Sequence, residues 1–255
     1  MHQDEFNRPY VLSIAGFDPS AGAGVVADAK TMEQCGAYGL TVCSAVTVQH
    51  ESVFKTVEWT KPSLILAQMD LLFQRYQIDV CKIGLIENWE LLKIITQRLI
   101  AYNPTIKIIV DPIFRASAGF DFHQNVTIDA LKSWLQDIYL LTPNAKELAR
   151  IGAGKTDLME VAQDLAVYCH LLYKGGHNLE QLGTDYLLMG REIHVLKPEQ
   201  EVFYEKHGSG CVLSAAIAAY LAFGNDLLES CTQAKNYIAP YLNSNSSLLG
   251  FHNRK

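Results

Sequence analysis

The chain has 255 residues, 49% of them hydrophobic and 19% charged, which supplies material for one sizeable core and excludes a disordered chain. Its 21 basic and 27 acidic side chains give a formal net charge of −6, which argues against nucleic acid and anionic membrane as partners. The longest apolar stretch, Cys211 to Phe223, is too short for a membrane span, and residues 1–8 lack the apolar segment of a signal peptide. We expect one domain over residues 1–255, located in the cytoplasm.

Short apolar runs alternate with segments of helical spacing along most of the chain. Strands are predicted at residues 10–15, 39–49, 78–83, 106–110, 138–141 and 171–173. Helices are predicted at residues 22–36, 61–76, 88–102, 128–135 and 157–168. Three short strands (185–189, 192–196, 201–204) and two helices (210–223, 227–242) follow. The pattern predicts an α/β fold with a mostly parallel central sheet, helices on both faces and a short antiparallel edge.

Polar residues, glycines and prolines follow nearly every predicted parallel strand. These positions are Gly16 to Ser20, Gln49, Gly84, Asp111 and Pro112, Thr142 to Asn144, and Lys174 to His177, with Leu85 as the apolar exception. In an open parallel sheet, ligands bind beyond the carboxyl ends of the strands. The sequence therefore places the functional site at this edge of the sheet.

The strongest local motif is the segment His207 to Cys211, which precedes a helix rich in small residues. Glycines allow a tight turn, and a helix start offers free amides and partial positive charge, so this is a natural anion site. An ordinary glycine-rich loop with a serine cap is the alternative. A G-x-S-x-G nucleophile elbow does not fit, because histidine and cysteine occupy the outer positions. A cysteine hydrolase is disfavoured because no third orienting group is evident.

Three weaker motifs have plain structural alternatives. Gly152 to Thr156 is not a Walker A motif, because Ala149 stands where that motif needs glycine. The segment Asp18 to Gly24 resembles a dinucleotide fingerprint only loosely and also fits a strand–helix turn, with Asp28 on the first turns of the helix. Asn144 and Glu147 share one face of a helix start, either as ligands or as a simple capping box.

Together these segments resemble the hydroxymethylpyrimidine/phosphomethylpyrimidine kinases, a thiamine-pathway family of the ribokinase superfamily. The segments that carry the resemblance follow the family's order: Ser13 to Gly24 with Asp28, Tyr38 to Thr41 with Gln49, Lys82 to Gly84, Val110 to Pro112, Leu141 to Asn144 with Glu147, Lys174 to His177, and His207 to Cys211 with Leu213 to Ala216. They extend from residue 10 to about residue 250. The first and last of them are the most specific.

The resemblance implies ATP-dependent phosphorylation of the hydroxymethyl group of 4-amino-5-hydroxymethyl-2-methylpyrimidine, and then of its monophosphate. The implied substrate-binding residues are Gly16, Asp28, Gln49, Leu85 and Ile113, with the Gln49 amide on the polar edge of the ring. The implied Mg²⁺ ligands are Asp111, Asn144 and Glu147. The implied ATP-binding residues are Asn144, Lys174 and Ser209. Phosphoryl transfer is assigned to Gly208, Ser209, Gly210 and Cys211, with the amides of the last three as the anion hole.

The resemblance also singles out Cys211, since much of the superfamily has aspartate there as catalytic base. A thiol at a helix start is expected to have a lowered pKa, so Cys211 is predicted to accept or position the hydroxyl proton. The resemblance further suggests a homodimer. Two alternatives stay open: a pyridoxal kinase of the cysteine type, and a non-catalytic vitamin-binding relative.

Several residues depart from the family's usual pattern. Ala21 replaces a glycine, Val26 a polar residue, and Lys206 a threonine, while Ser117 stands where a flap lysine is expected. The segment between Glu147 and Lys174 is shorter than usual. These departures weaken the prediction of the second phosphorylation more than the prediction of a kinase.

Overall fold

The protein is described from a computed structural model, which covers residues 8–114, 128–176, 183–198 and 204–252. Its strands are β1 (Tyr10–Phe17), β2 (Tyr38–His50), β3 (Val53–Trp59), β4 (Ile78–Ile83), β5 (Lys107–Val110), β6 (Leu140–Leu141), β7 (His170–Tyr173), β8 (Asp185–Met189) and β9 (Glu192–Leu196). Its helices are α1 (Gly24–Gln34), α2 (Pro62–Arg75), α3 (Trp89–Tyr102), α4 (Ile128–Leu135), α5 (Ala145–Ile151), α6 (Leu158–Ala166), α7 (Ser209–Ala222) and α8 (Leu227–Leu242). Most predicted elements are confirmed within two residues at each end.

All of these strands form one sheet in the order β3-β2-β1-β4-β5-β6-β7-β8-β9. The strands from β2 through β7 in this order run parallel. At one end β8 and β9 add antiparallel to β7, which confirms the predicted antiparallel edge. Because the parallel strands end on one side, the loops after β1, β4, β5, β6 and β7 meet at that side of the sheet.

The opposite edge is also antiparallel, which the sequence analysis did not predict. β2 continues to His50 and turns back into β3. The side chains of β3 are exposed or half-buried, so its sequence lacks the buried apolar run by which the other strands are recognised. As a consequence Gln49 lies inside the hairpin, opposite Phe54, rather than directly after a strand.

Apolar side chains are buried on both faces of the sheet, as expected for a parallel sheet between helices. Leu12 and Ile14 of β1 join the core beneath α2, α3 and α6, while Val11 joins the core beneath α1, α7 and α8. Helix α7 is apolar on all sides, and its alanines let it contact α1, α8 and β4 closely. This burial fixes the position of the α7 start against the sheet.

The remaining predictions concern the end of the chain and the loop after α5. Of the strand predicted at 201–204, residues 201–203 lie outside the described residues, and Tyr204 lies in an irregular segment. The loop after α5 contains Lys155, the lysine of the segment Gly152 to Thr156 that does not fit a Walker A motif. Its ammonium forms ion pairs with Glu160 and Asp164 at 2.8 and 2.7 Å. Among the described helices, none is long and apolar enough to cross a membrane.

Candidate active site

The starts of α1 and α7 meet beyond the carboxyl ends of β1 and β4. Gly24, the first residue of α1, has a φ of +64°, and a Cβ there would lie 2.0 Å from the Gly16 carbonyl oxygen. Gly208, just before α7, has a φ of +72°, and a Cβ there would lie 2.1 Å from the Gly22 carbonyl oxygen. Both positions therefore require glycine, for backbone conformation and for close approach. The loop before α1 and the loop before α7 touch each other through these residues.

The start of α7 faces a buried ion pair at the ends of β5 and β7. The Lys174 Nζ lies 2.7 Å from Asp111 Oδ1, and the two side chains are 10% and 3% exposed. A Cβ on Gly210 would lie 3.1 Å from Lys174 Nζ and 3.5 Å from Asp111 Oδ2. The structure thus brings together the glycine-rich helix start, the lysine and the aspartate that the sequence analysis had placed on separate strands.

The amides at the start of α7 can accept an anion. The first helical hydrogen bond runs from the Val212 amide to the Gly208 carbonyl, so the amides of Gly210 and Cys211 precede it. The Ser209 amide donates to the Lys206 carbonyl at 3.3 Å. Of the three amides predicted to form an anion hole, that of Ser209 is engaged locally, whereas those of Gly210 and Cys211 precede the first helical hydrogen bond.

Cys211 lies where the two helix starts converge, and its predicted acidity is wrong. The residue is 6% exposed, and the Gly24 amide of α1 hydrogen bonds to its sulfur. Burial raises the pKa of the Cys211 thiol to about 11, although the Lys82 ammonium and the Gly24 amide oppose the rise. The helix start alone would lower this pKa, but removal of the sulfur from water outweighs it. Cys211 is therefore a thiol at neutral pH.

Acidic and basic side chains lie next to one another around the Asp111–Lys174 pair, and they shift each other's pKa values. Burial raises the pKa of the Asp111 carboxyl, but Lys174 and Lys82 outweigh it and lower the pKa overall. The same carboxylate raises the pKa of Lys174 against the effect of burial. Burial also raises the pKa of Glu147 to about 7, because the nearby Lys174 compensates only in part and Asp111 adds repulsion. The ionised form of Asp111 is thus favoured, whereas Glu147 takes up a proton more readily than an ordinary glutamate.

Asn144 and Glu147 form the capping box that stood as the alternative to a ligand role. Asn144 Oδ1 accepts from the Glu147 amide at 3.0 Å, and Glu147 Oε2 accepts from the Asn144 amide at 2.7 Å. The box starts α5 and holds both side chains beside Lys174. A capping role and a ligand role are compatible, because each carboxylate has two oxygens and the box uses one of Glu147.

The donor set at this place fits a magnesium ion that keeps part of its water. Among the described residues no three acidic, histidine or cysteine side chains converge into a ready metal cage. The donors are instead two carboxylates, Asp111 and Glu147, and the amide oxygen of Asn144. Mg²⁺ is commonly held by one or two carboxylates together with substrate phosphates and water. The chemistry of the set therefore suits Mg²⁺ bound together with a nucleotide, with Lys174 as neighbouring cation.

Apolar residues and glycines form the wall on the β1 side of the site. A Cβ on Gly16 would lie 3.0 Å from Leu85 Cδ2, and a Cβ on Gly84 would lie 3.7 Å from Ile113 Cδ1. Gly16, Leu85 and Ile113 thus lie at the ends of β1, β4 and β5, the first two as expected from strand order and Ile113 as the resemblance implies. The half-buried Gln49 projects beyond them on the β2–β3 hairpin.

Asp28 requires a correction, since it lies beneath the site rather than on its surface. Its side chain is 0% exposed, and its carboxylate accepts two hydrogen bonds from Lys82, at 2.8 and 2.9 Å, and one from Ser13 at 2.6 Å. In this structure these partners occupy the carboxylate that was predicted to touch substrate.

Lys82 is the residue that the sequence analysis named in a motif but gave no role. It lies 0% exposed on β4, and a Cβ on Gly84 would lie 3.0 Å from its Nζ. Burial lowers the pKa of Lys82, but Asp28, Cys211 and Asp111 outweigh it, so the pKa is raised overall. The sequence did contain a signal for this role: a lysine inside a strand that is otherwise buried and mostly apolar needs a buried anion as partner.

Two other positions named in the sequence analysis, Ser117 at the expected flap lysine and His177, lie outside the described residues.

Sequences of known proteins identify the family of this chain. The family model of phosphomethylpyrimidine kinase matches residues 18–253. A hydroxymethylpyrimidine/phosphomethylpyrimidine kinase of Rhizobium meliloti is 35% identical over 237 residues, covering 89% of this chain and 88% of the relative. The kinase of that name from Aquifex aeolicus is 30% identical, covering 94% and 96%. A thiamine biosynthesis bifunctional protein of Geobacter sulfurreducens is 32% identical, and the chain spans about half of it, 49%.

Solved structures show the same fold. A phosphomethylpyrimidine kinase from Clostridium difficile 630 has a TM-score of 0.74 at 30% identity, covering 91% of this chain and 98% of that one. A pyridoxal kinase from Staphylococcus aureus, in complex with pyridoxal, has a TM-score of 0.82 at 26% identity, covering 96% and 93%. The ribokinase-like fold expected from the sequence is confirmed. The family match covers most of the sequence, and the chain belongs to the phosphomethylpyrimidine kinase family.

Proposed function

We propose that this chain transfers the γ-phosphoryl group of ATP to the hydroxymethyl oxygen of 4-amino-5-hydroxymethyl-2-methylpyrimidine, and then a second one to the monophosphate formed. The observation that carries the proposal is the start of α7 placed directly on the Asp111–Lys174 pair. A helix start with open amides, beside a lysine and two carboxylates, is suited to holding phosphate and a divalent cation together. The family membership supplies the reaction class.

The anion hole and Lys174 act on the transferring phosphoryl group. Phosphoryl transfer passes through a loose transition state, with charge spread over the equatorial oxygens, so catalysis rests mainly on positioning and electrostatics. The amides of Gly210 and Cys211 would donate to those oxygens. Lys174 would balance their charge from the side of Asp111. Asp111, Asn144 and Glu147 would hold Mg²⁺, which when bound neutralises phosphate charge.

Cys211 handles the hydroxyl group of the substrate. Because the thiol pKa is about 11, the resting side chain is neutral and first serves to orient the hydroxymethyl oxygen toward the phosphorus. A neutral thiol cannot take up a second proton, so proton transfer requires the thiolate: Cys211 first releases its own proton to water. As the new O–P bond forms and the bond to ADP breaks, the thiolate would accept the hydroxyl proton and become the thiol again. The Lys82 ammonium favours the thiolate that would receive this proton.

The pyrimidine would lie on the wall of Gly16, Leu85 and Ile113, with Gln49 at its polar edge. An amide offers both a donor and an acceptor, which matches the amino group and ring nitrogen of an aminopyrimidine. A flat apolar wall with one polar group is a common arrangement for a small heteroaromatic ligand.

We also propose that the protein is a homodimer located in the cytoplasm. Light scattering would test the oligomeric state, and cell fractionation would test the location.

A second candidate substrate is pyridoxal or pyridoxine. The TM-score to the pyridoxal kinase, 0.82, is higher than that to the phosphomethylpyrimidine kinase, 0.74. Both substrate types are flat heteroaromatic rings that carry a hydroxymethyl group, so the wall described above accommodates either. The lower sequence identity to the pyridoxal kinase, 26% against 30%, favours the pyrimidine.

A coupled assay of ADP release tests the proposal with four substrates: hydroxymethylpyrimidine, its monophosphate, pyridoxal and pyridoxine. We expect the highest kcat/KM with hydroxymethylpyrimidine, and turnover of its monophosphate at a lower rate. A higher kcat/KM with pyridoxal would establish the second candidate instead. No turnover of any of the four, combined with a melting temperature raised by the pyrimidine but not by Mg·ATP, would contradict kinase activity and indicate a vitamin-binding protein.

A further inference from the structure

A buried Asp18–His207 pair connects the two loops that start α1 and α7. His207 Nε2 lies 2.8 Å from Asp18 Oδ2, and the two side chains are 4% and 1% exposed. The residues are 189 positions apart in the sequence. The pair is therefore a tertiary contact between two segments that also meet through Gly24, Gly208 and the Cys211 sulfur.

The two helix starts lack side-chain caps of their own. Ala23 and Gly208 stand at the N-cap positions of α1 and α7, and among the described residues neither helix start receives a side-chain cap from its N-cap. The described starts of α3, α5, α6 and α8 have side-chain caps. An uncapped start keeps its amides open for a ligand, but it loses the hydrogen bond that fixes its position.

The Asp18 carboxylate, five residues before Ala23 in the sequence, takes the place of an N-cap side chain at the start of α1. Its Oδ2 accepts from the Ala23 amide at 2.9 Å, and its Oδ1 accepts from the Ser20 amide at 2.9 Å. Burial raises the pKa of Asp18, but the hydrogen bonds from His207 and Ser20 outweigh it and lower the pKa overall. Asp18 is thus an anion whose two oxygens tie the α1 start together.

His207 connects Asp18 to the start of α7. Its backbone amide donates to the Leu248 carbonyl at 2.9 Å, and its ring lies against Gly22, where a Cβ would come within 2.7 Å of His207 Cδ2. The ring nitrogen Nδ1 is buried and has no hydrogen-bond partner among the described residues. The polar function of this ring is therefore its bond to Asp18, and Gly208 and the anion hole follow it directly in the chain.

We infer that His207 is a positioning residue for phosphoryl transfer, which holds the α7 start and Cys211 in place through Asp18. The inference rests on the proposed function, because it assigns these groups to the reaction. The contacts that the structure shows for His207 are with Asp18, Gly22 and Leu248, so we expect its removal to act on the alignment of the reacting groups. Displacement of reacting groups by about 1 Å costs up to about 100-fold in rate.

The test compares His207→Leu with His207→Gln. We expect the leucine variant to lower kcat by about 10- to 100-fold, while the KM for the pyrimidine stays within about two-fold. The glutamine side chain can place an amide N–H near the position of Nε2, so this variant should keep kcat within about five-fold of the unmodified protein. A leucine variant with unchanged kcat, or a folded glutamine variant as slow as the leucine variant, would overturn the inference. If the leucine variant does not fold, the kcat of the glutamine variant decides alone.

His170→Leu is the matched control. His170 is half-buried at the start of β7, the opposite end of the strand from Lys174, and packs edge-on against Tyr139. The control measures what the loss of a partly buried imidazole costs in stability, and its kcat should stay unchanged. An equal loss of kcat in His170→Leu would show that the effect at His207 is only general destabilisation, and would contradict the inference.

A readout without substrate separates this inference from the proposed function. The rate at which iodoacetamide alkylates Cys211, followed by mass spectrometry of its peptide, reports how tightly the helix starts enclose the sulfur. We expect this rate to rise about ten-fold or more in His207→Leu and to return toward the original value in His207→Gln. A protein inactive on every substrate that still shows this pattern would refute the proposed function but not the positioning role. An unchanged alkylation rate in His207→Leu would refute the positioning role.

Discussion

Two of the buried lysine–aspartate pairs at this side of the sheet differ in what surrounds them. Lys82 and Asp28 are 2.8 Å apart, and both side chains are 0% exposed. Lys174 and Asp111 are 2.7 Å apart, and their side chains are 10% and 3% exposed. The first pair is enclosed between β1, α1 and β4. The second faces the open start of α7.

Both pairs consist of the same residue types, so under the proposed function their surroundings decide which pair meets a ligand. Asp28 is satisfied by Lys82 and Ser13, so the pair is complete and supports the structure. The Asp111–Lys174 pair has beside it the α7 start and Glu147, whose pKa burial raises to about 7, so we expect an incoming phosphate to reorganise this pair. Cys211 interacts electrostatically with both pairs. We therefore assign mainly structural support to the first pair, whose Lys82 also favours the Cys211 thiolate, and contact with the phosphoryl group to the second.

The largest effect is expected at Cys211, which interacts with both pairs. Cys211→Ala should lower kcat by about 10²- to 10⁴-fold, the usual range for a group that handles a proton. ATP binding should remain, because the backbone amides of the anion hole survive the change. Kinetics with hydroxymethylpyrimidine measure the loss, and Cys231→Ala, a buried cysteine on α8, is the control. Full activity in Cys211→Ala would return this residue to a structural role.

The enclosed pair should matter most for stability. Lys82→Met leaves Asp28 buried without its partner, which should lower the free energy of unfolding by about 3–5 kcal/mol. The double variant Lys82→Met with Asp28→Leu removes both charges and should regain at least half of that loss. Urea unfolding measures both. A single variant that loses less than about 1 kcal/mol would show that the pair does not support the fold.

Gln49→Leu tests the side of the site that neither pair reaches. Loss of the amide leaves the polar edge of the ring unpaired, which costs about 1–3 kcal/mol of substrate binding. The KM for the pyrimidine should rise accordingly, while Mg·ATP still raises the melting temperature. Gln68→Leu, on α2, makes the same chemical change away from the site. An unchanged KM in Gln49→Leu would remove this residue from the pocket.

The smallest effect is expected at Lys155, in the loop that superficially resembles a phosphate-binding motif. Its ammonium pairs with Glu160 and Asp164 on α6, and 38% of its side chain is exposed. Lys155→Ala should therefore leave the Kd for ATP within about two-fold. Equilibrium binding of ATP measures this. A large loss of affinity would mean that the nucleotide binds at this loop.

Much of the fold was predictable because burial follows local pattern. β4, β8, β9 and α8 have the predicted ends, since each is an apolar or periodic run between polar or turn residues. β3 was missed because its side chains are largely exposed. The strand order then placed Gly16, Asp111 and Lys174 at one edge, since parallel strands end on the same side.

The parts that could not be predicted depend on contacts between distant segments. The acidity of Cys211 was misjudged because its burial comes from α1, which local spacing around Cys211 does not show. The enclosure of Asp28 depends on its partner Lys82, which lies 54 residues away in the sequence and which local pattern does not identify. The Asp18–His207 contact likewise joins opposite ends of the chain. Residue types at strand ends indicated the kind of site, but only tertiary packing determined which groups face it.

The division between the two pairs is tested most directly by Lys174→Met measured beside Lys82→Met. Both kcat with hydroxymethylpyrimidine and the free energy of unfolding are determined for each variant. We predict that Lys174→Met lowers kcat by about 10²- to 10³-fold, as removal of one charge-stabilising donor does, and costs less stability than Lys82→Met. Near-normal kcat in folded Lys174→Met, or a greater stability loss there than in Lys82→Met, would contradict the assignment of contact with the phosphoryl group to one pair and mainly structural support to the other.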